Sequence, residues 1–181
     1  MCVSLILGIN FWIGILTSFI GSFILIMGLF VFVKPHFKIS KEICHLTTDE
    51  YGEGLKGSFL IKVANKSFFN AYDLRANLEI LEIYHIDGGA NNRAFELNLV
   101  DKTSKFLGGR HYYKNTGRSC FLFRTEEPLK EKLSKSNNKV RFTLIAKNGF
   151  SGLTKIFVQE YNVSSKIKDG HFCFGKNFDI K

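Results

Sequence analysis

No charged side chain stands ahead of Lys34, although 25 basic and 16 acidic residues occur in the chain. Residues 3–33 lack histidine and proline as well. A secretory signal carries basic residues in front of a short apolar stretch, so their absence there argues against cleavage. Here the basic residues come behind it, and Lys34-Pro35-His36 makes a poor cleavage site. Cys2 precedes the apolar run, whereas the lipidated cysteine of a lipoprotein follows one.

Chemistry-bearing motifs are also missing. The four cysteines, Cys2, Cys44, Cys120 and Cys173, form no C-x-x-C pair, the spacing that closed zinc sites prefer. Cys44-His45 and His171-Phe172-Cys173 would meet only if the first and last strands were neighbours, and in a strand Cys44 and His45 point to opposite faces. The expectation is core thiols and surface imidazoles, with no metal and no cofactor. There is no G-x-S-x-G, no phosphate loop and no H-E-x-x-H. Catalytic residues are therefore not expected, and the chain reads as a non-enzyme. An enzyme would require His85, His111 or His171 to meet a carboxylate or thiol in a cleft.

What is present begins with that apolar run. A helix needs about 20 apolar residues to cross the hydrocarbon core of a bilayer, and residues 3–33 exceed this. The best-placed span is 11–33, behind a short tail over 1–10, with Phe11 and Trp12 at one interface. Lys34, Lys38 and Lys41 follow it in a basic segment, 34–41, that also starts the first strand, and are expected at the membrane surface. Because the positive charge lies behind the helix, the positive-inside tendency predicts a single-pass protein of the cell membrane with its carboxyl-terminal domain in the cytoplasm. Gly14, Ser18 and Ser22 recur at a spacing of four, the pattern of a helix-packing face, and suggest a homo-oligomer formed through the membrane helix.

Residues 42–181 read as one all-β domain. Period-two alternation predicts a strand over FKISKEICH (37–45), with Phe37, Ile39, Lys41 and Ile43 on one side; the lysine marks it as an edge. GSFLIKVAN (57–65) reads as a half-buried strand. YDLRANLEILEIYH (72–85) sets Leu74, Ala76, Leu78 and Ile80 against Asp73, Arg75, Asn77 and Glu79, with an irregularity near Leu81 and a turn at DGGANN (87–92). Strands follow at 94–100, 118–125, 139–148, 154–163 and 171–176, with one short helical turn over 128–136 that starts at Pro128. Seven or eight short strands indicate a two-sheet sandwich, with a closed barrel as second choice, and the 19 phenylalanines supply its core.

The stretch IKVANKSFFNAYDLRANLEI (61–80) carries a strand ending in Asn65, a polar crossing and a restart at Ala71-Tyr72-Asp73-Leu74. It resembles the second and third strands of immunoglobulin-like modules of the bacterial CARDB and NEW3 type. The resemblance implies an immunoglobulin-like β-sandwich serving as an adhesive or spacer module without catalysis.

Net charge is +9, all of it behind the helix. Arg110, Tyr112, Tyr113, Lys114 and Arg118 interleave cations with aromatic rings and are the candidates for an acidic ligand. No nucleic-acid fold motif accompanies them, so a protein partner and membrane lipid are expected rather than nucleic acid. The predicted role is a membrane-anchored binding or scaffold protein that confines a partner to the bilayer. Two alternatives stand beside it: a membrane effector that senses a small ligand and repacks its helix, which predicts a cavity, and an extracytoplasmic adhesion or envelope module if the topology is reversed.

Overall fold

The computed structural model of the chain describes residues 2–49, 54–110, 117–135 and 137–181. It opens with α1 (Cys2–Val33), a helix of 32 residues, so the segment 1–10 is helical from Cys2 onward. The portion Phe11–Phe30 is 20 residues long, and none of it is buried against the rest of the chain.

The strands among the described residues are, in order, β1 (Phe37–Ile39), β2 (Ile43–His45), β3 (Phe59–Asn65), β4 (Ala71–Ile86), β5 (Gly89–Leu97), β6 (Thr103–Leu107), β7 (Cys120–Thr125), β8 (Asn138–Asn148), β9 (Thr154–Tyr161) and β10 (Ile167–Asp169). A short helix, α2 (Leu129–Ser134), joins β7 to β8 where the sequence placed a helical turn. In the first sheet β1 and β2 lie one after the other along one edge of β3, and β7 lies along its other edge. β10 runs parallel to β2 on the far side. In the second sheet β4 is central, with β5 and β6 in succession on one edge, β8 on the other and β9 beyond β8.

Two separate sheets around a shared core make this a sandwich and not a closed barrel. Ile61, Val63 and Phe123 from the first sheet pack with Leu74, Leu78, Phe142 and Leu144 from the second, all fully buried. The Phe123 and Phe142 rings meet at 5.3 Å across the layer. Each such side chain contributes about 1.5–3 kcal/mol by leaving water.

Several sequence expectations are corrected. FKISKEICH is not one strand: Ile39 lies opposite Val63 and Cys44 opposite Leu60, so residues 40–43 stand against residues 61–62 in a bulge. The bulge turns Lys41 out to solvent while Ile43 stays in the core. Buried Ser40 anchors it, donating its N–H to the Lys62 carbonyl at 2.8 Å and accepting the Tyr161 hydroxyl at 2.8 Å through its own carbonyl. β3 is not half-buried; all its residues are buried, because segment 171–180 covers its outer face. There Phe172 and Ile180 join Cys44, Leu46, Leu60 and Leu122 in a second apolar cluster.

The inward face of β4 is the one the alternation specifies, but its irregularity lies elsewhere. Pairing with β8 is regular from Arg75 to Glu82, and the register shifts between Tyr72 and Arg75, where Asp73 adopts φ +50°. β5 already begins at Gly89, which reduces the turn to Asp87-Gly88. Alternation does not announce β6, and the expected last strand at 171–176 is reduced to a bridge between Phe172 and Ile180.

Candidate functional site

Three residues separate α1 from β1, and Phe37 then pairs with Asn65 at the last position of β3. That register gathers the crossing 66–70, the loops flanking 108–110 and 117–119, and the turn 148–153 at the end of the sandwich where α1 enters. The His36 N–H donates to Ser67 Oγ at 2.7 Å, and the Lys66 N–H to the His36 carbonyl at 2.7 Å. Ser151 Oγ donates to the Val33 carbonyl at 3.4 Å.

Asparagines hold these loops. Buried Asn65 donates from Nδ2 to the Phe69 and Leu107 carbonyls at 3.1 and 3.3 Å, while its Oδ1 accepts the Ser67 N–H at 2.8 Å. Half-buried Asn70 accepts the Gly109 N–H on Oδ1 at 2.9 Å. Buried Asn148 accepts the N–H groups of Phe150 and Ser151 on Oδ1 at 2.8 and 3.1 Å. The polar interruption between β3 and β4 is thus a hydrogen-bonded corner. A side chain at Gly109 would run into the Phe68 carbonyl, and one at Gly149 into the Tyr72 ring, so both close approaches require glycine. The corner displays Phe68 at 56% exposure and Phe150 at 66%, with Phe69 and Phe150 stacked at 4.7 Å.

Of the sequence-predicted ligand residues, Arg110 and Arg118 lie at this same end, both exposed. The Arg110 N–H donates to the Ser67 carbonyl at 2.7 Å, and the Arg118 carbonyl accepts the Gly108 N–H at 2.9 Å. Tyr112, Tyr113, Lys114 and His111 lie outside the described residues. Lys34 is exposed beside the helix exit, whereas Lys38 and Lys41 step away along the sheet. Lys38 Nζ stands 4.7 Å from the Phe178 ring centroid on the outer face. Gly14, Ser18 and Ser22 share one side of α1 with Phe11, Ile15 and Phe19, where they form a shallow groove.

A second site escaped the sequence reading. On the outer face of the first sheet an open cleft of about 560 Å³ is lined by Lys62, Cys120, Leu122, His171, Cys173 and Phe174, among others. Lys62 is 3% exposed, and its Nζ donates to the Cys173 and Asn177 carbonyls at 2.5 and 2.7 Å. Burial lowers its pKa from 10.5, against the opposing influence of the Cys120 and Cys173 thiols. Burial likewise raises the Cys120 thiol, with Lys62 pulling the other way. The available signal was a single lysine in the strand FLIKVAN, on one face of a strand that reads as half-buried, and the segment that covers it is more than a hundred residues away.

Next to the cleft, Cys44 is fully buried; burial first, then nearby Asp169, pushes its pKa up to about 11. His45 Nδ1 and Lys130 Nζ share Asp169 Oδ1 at 2.6 and 2.7 Å; the Lys130 bond, then the His45 bond, holds the exposed carboxyl below its usual range. Among the described residues no group of three histidine, cysteine or carboxylate side chains is placed to hold a metal.

Fold and sites together define a two-sheet β-sandwich behind one long apolar helix. No protein-family model matches the chain, and no curated protein matches it.

Proposed function

We propose that the chain is a single-pass membrane protein whose sandwich is a non-catalytic, immunoglobulin-like binding module held at the bilayer surface. The observation that carries this reading is α1: the stretch Phe11–Phe30 is apolar on every side and packs on nothing in the chain. Strand order supports the immunoglobulin-like part. β3 pairs with β7 in one sheet, and β5, β4, β8 and β9 follow one another in the second, as strands B and E, and C′, C, F and G, do in that fold. The CARDB- and NEW3-like corner between β3 and β4 agrees with it.

Lysines behind the helix favour a cytoplasmic domain, and exposed Arg110 and Arg118 favour an acidic partner confined near the membrane. Alkaline carbonate extraction tests the anchor: the full chain is expected in the membrane pellet, and its release into the supernatant would overturn the reading. A membrane-impermeant thiol reagent on intact cells then reports the side. Labelling of Cys120 and Cys173 only after permeabilisation supports the cytoplasmic placement, and labelling from outside makes the extracytoplasmic module the better account.

One observation favours a second reading, the cleft above β3. Its volume suits a small ligand, and its wall is the segment 171–177 that Lys62 holds down. Binding there would make the module a sensor. The filled core between the sheets agrees better with a module that recognises its partner from an exposed surface.

A further inference from the structure

We propose that the corner formed by Phe68, Phe69 and Phe150 is the domain's membrane-contacting edge, its rings lodged in the interfacial layer around the exit of α1. This rests on the reading of α1 as a membrane span. Position carries the argument. His36 is bonded to Ser67 and to the Lys66 N–H, and Ser151 to Val33, so both aromatic loops are tied to the residues that leave the helix. With three residues between α1 and β1, a bilayer that ends near Val33 ends within a few residues of these rings. The surface is therefore continuous with the lipid-facing side of the helix, which singles out lipid as its occupant over a soluble partner.

Chemistry agrees with position. Phe68 and Phe150 are more than half exposed, Phe69 stacks on Phe150 at 4.7 Å, and Phe68 meets Phe69 edge-on at 5.6 Å, so the three form one patch. Contiguous exposed apolar patches mark interaction sites, and aromatic rings accumulate where a membrane meets water. The patch cannot fold back into the core, because hydrogen bonds from Asn65 to Phe69 and from Phe150 to Asn148 fix the backbone that carries it. Gly109 and Gly149 let the neighbouring backbone and the Tyr72 ring close in behind it. Exposed Lys34 and Arg110 flank the rings at the height of the lipid headgroups, where cations gain from anionic lipid.

The test uses the full chain in liposomes whose lipids carry bromine at a shallow acyl position, in a parallel set with bromine deep in the chain. Trp12, the chain's one tryptophan, reports the span in the native protein. In a Trp12→Phe background, Phe150→Trp reports the corner and Tyr84→Trp reports the opposite end of β4, about 40 Å from Tyr72 along the strand. Phe68→Trp in the same background repeats the question should Phe150→Trp fail to fold. The expected result is that the corner tryptophan emits at shorter wavelength than the distal one and loses roughly half its emission to the shallow bromines, as an interfacial ring does. The Tyr84→Trp variant stays unquenched. Quenching of Trp12 without quenching at either corner position would overturn the proposal and leave the span standing. If Trp12 itself escapes both bromine sets, the span falls, and the proposal with it.

Discussion

Lys62 ends between two main-chain carbonyls, and Lys62→Met removes both bonds while keeping the length of the side chain. The variant is expected to lose about 1–3 kcal/mol in urea unfolding at neutral pH, the cost of losing two hydrogen bonds from a charged donor. The pH dependence has a definite sign. Folding lowers the Lys62 pKa below its ordinary 10.5, so between the folded value and 10.5 the unfolded chain binds more protons. Stability attributable to Lys62 therefore rises with pH through that window, and a neutral amine still has hydrogens for both carbonyls. The gap between wild type and Lys62→Met is expected to widen as the pH rises towards 10.5; a constant gap would show that the amine is not desolvated. Asn65 makes a second residue-scale case. Asn65→Asp replaces a donor to two carbonyls with an acceptor, and a loss of about 2–4 kcal/mol is expected as a lower thermal midpoint. Cys44, fully buried and with its thiol pushed up to about 11, is expected to resist alkylation at pH 8 until the domain unfolds, while half-buried Cys173 reacts in the folded state.

Among the elements, the segment 171–181 is a strap rather than a strand. It covers β3 with Phe172 and Ile180 and supplies the carbonyls for Lys62. Ending the chain after Gly170 is expected to cost at least the ~1.5–3 kcal/mol of Phe172 burial and to make Cys44 react with alkylating reagents at pH 8. The strap was hidden in the sequence because its HFCFGK alternation imitates a strand, whereas Lys62 and the backbone of residues 173–177 meet only through the fold. Strongly periodic elements were readable: α1 from Phe11 onward, the inward face of β4, β8 and β9 lie where apolar length or alternation put them, and α2 lies where Pro128 opens a helical turn. The bulge between β1 and β2 was not, since Lys41 on the apolar side reads equally well as the mark of an edge strand, and only the pairing against β3 shows the extra residues. The site followed the same division. Exposed Arg110 and Arg118 stood out by composition, but the asparagine corner and the Phe68–Phe150 patch exist only once the β1 register brings separate loops to one end.

For the whole molecule, α1 and the sandwich are separable in stability. Because Phe11–Phe30 packs on nothing else, a chain lacking residues 1–30 is expected to unfold at nearly the same urea concentration as the full chain in detergent, and to leave the membrane fraction. If helices pair through the groove beside Gly14, Ser18 and Ser22, Gly14→Leu and Ser18→Leu are expected to abolish the dimer signal in a membrane two-hybrid assay and leave the sandwich folded. The joint between the two parts is short and hydrogen-bonded, three residues pinned at His36. If that joint is stiff, rotation of the helix is passed on to the sandwich. With β4 spanning 16 residues, or about 50 Å at ~3.3 Å per residue, a change of about 10° in the tilt of α1 sweeps the distal turn at Asp87-Gly88 through about 9 Å. If α1 spans a bilayer as proposed, the domain is a lever arm, and the position of its far tip follows the angle of the helix.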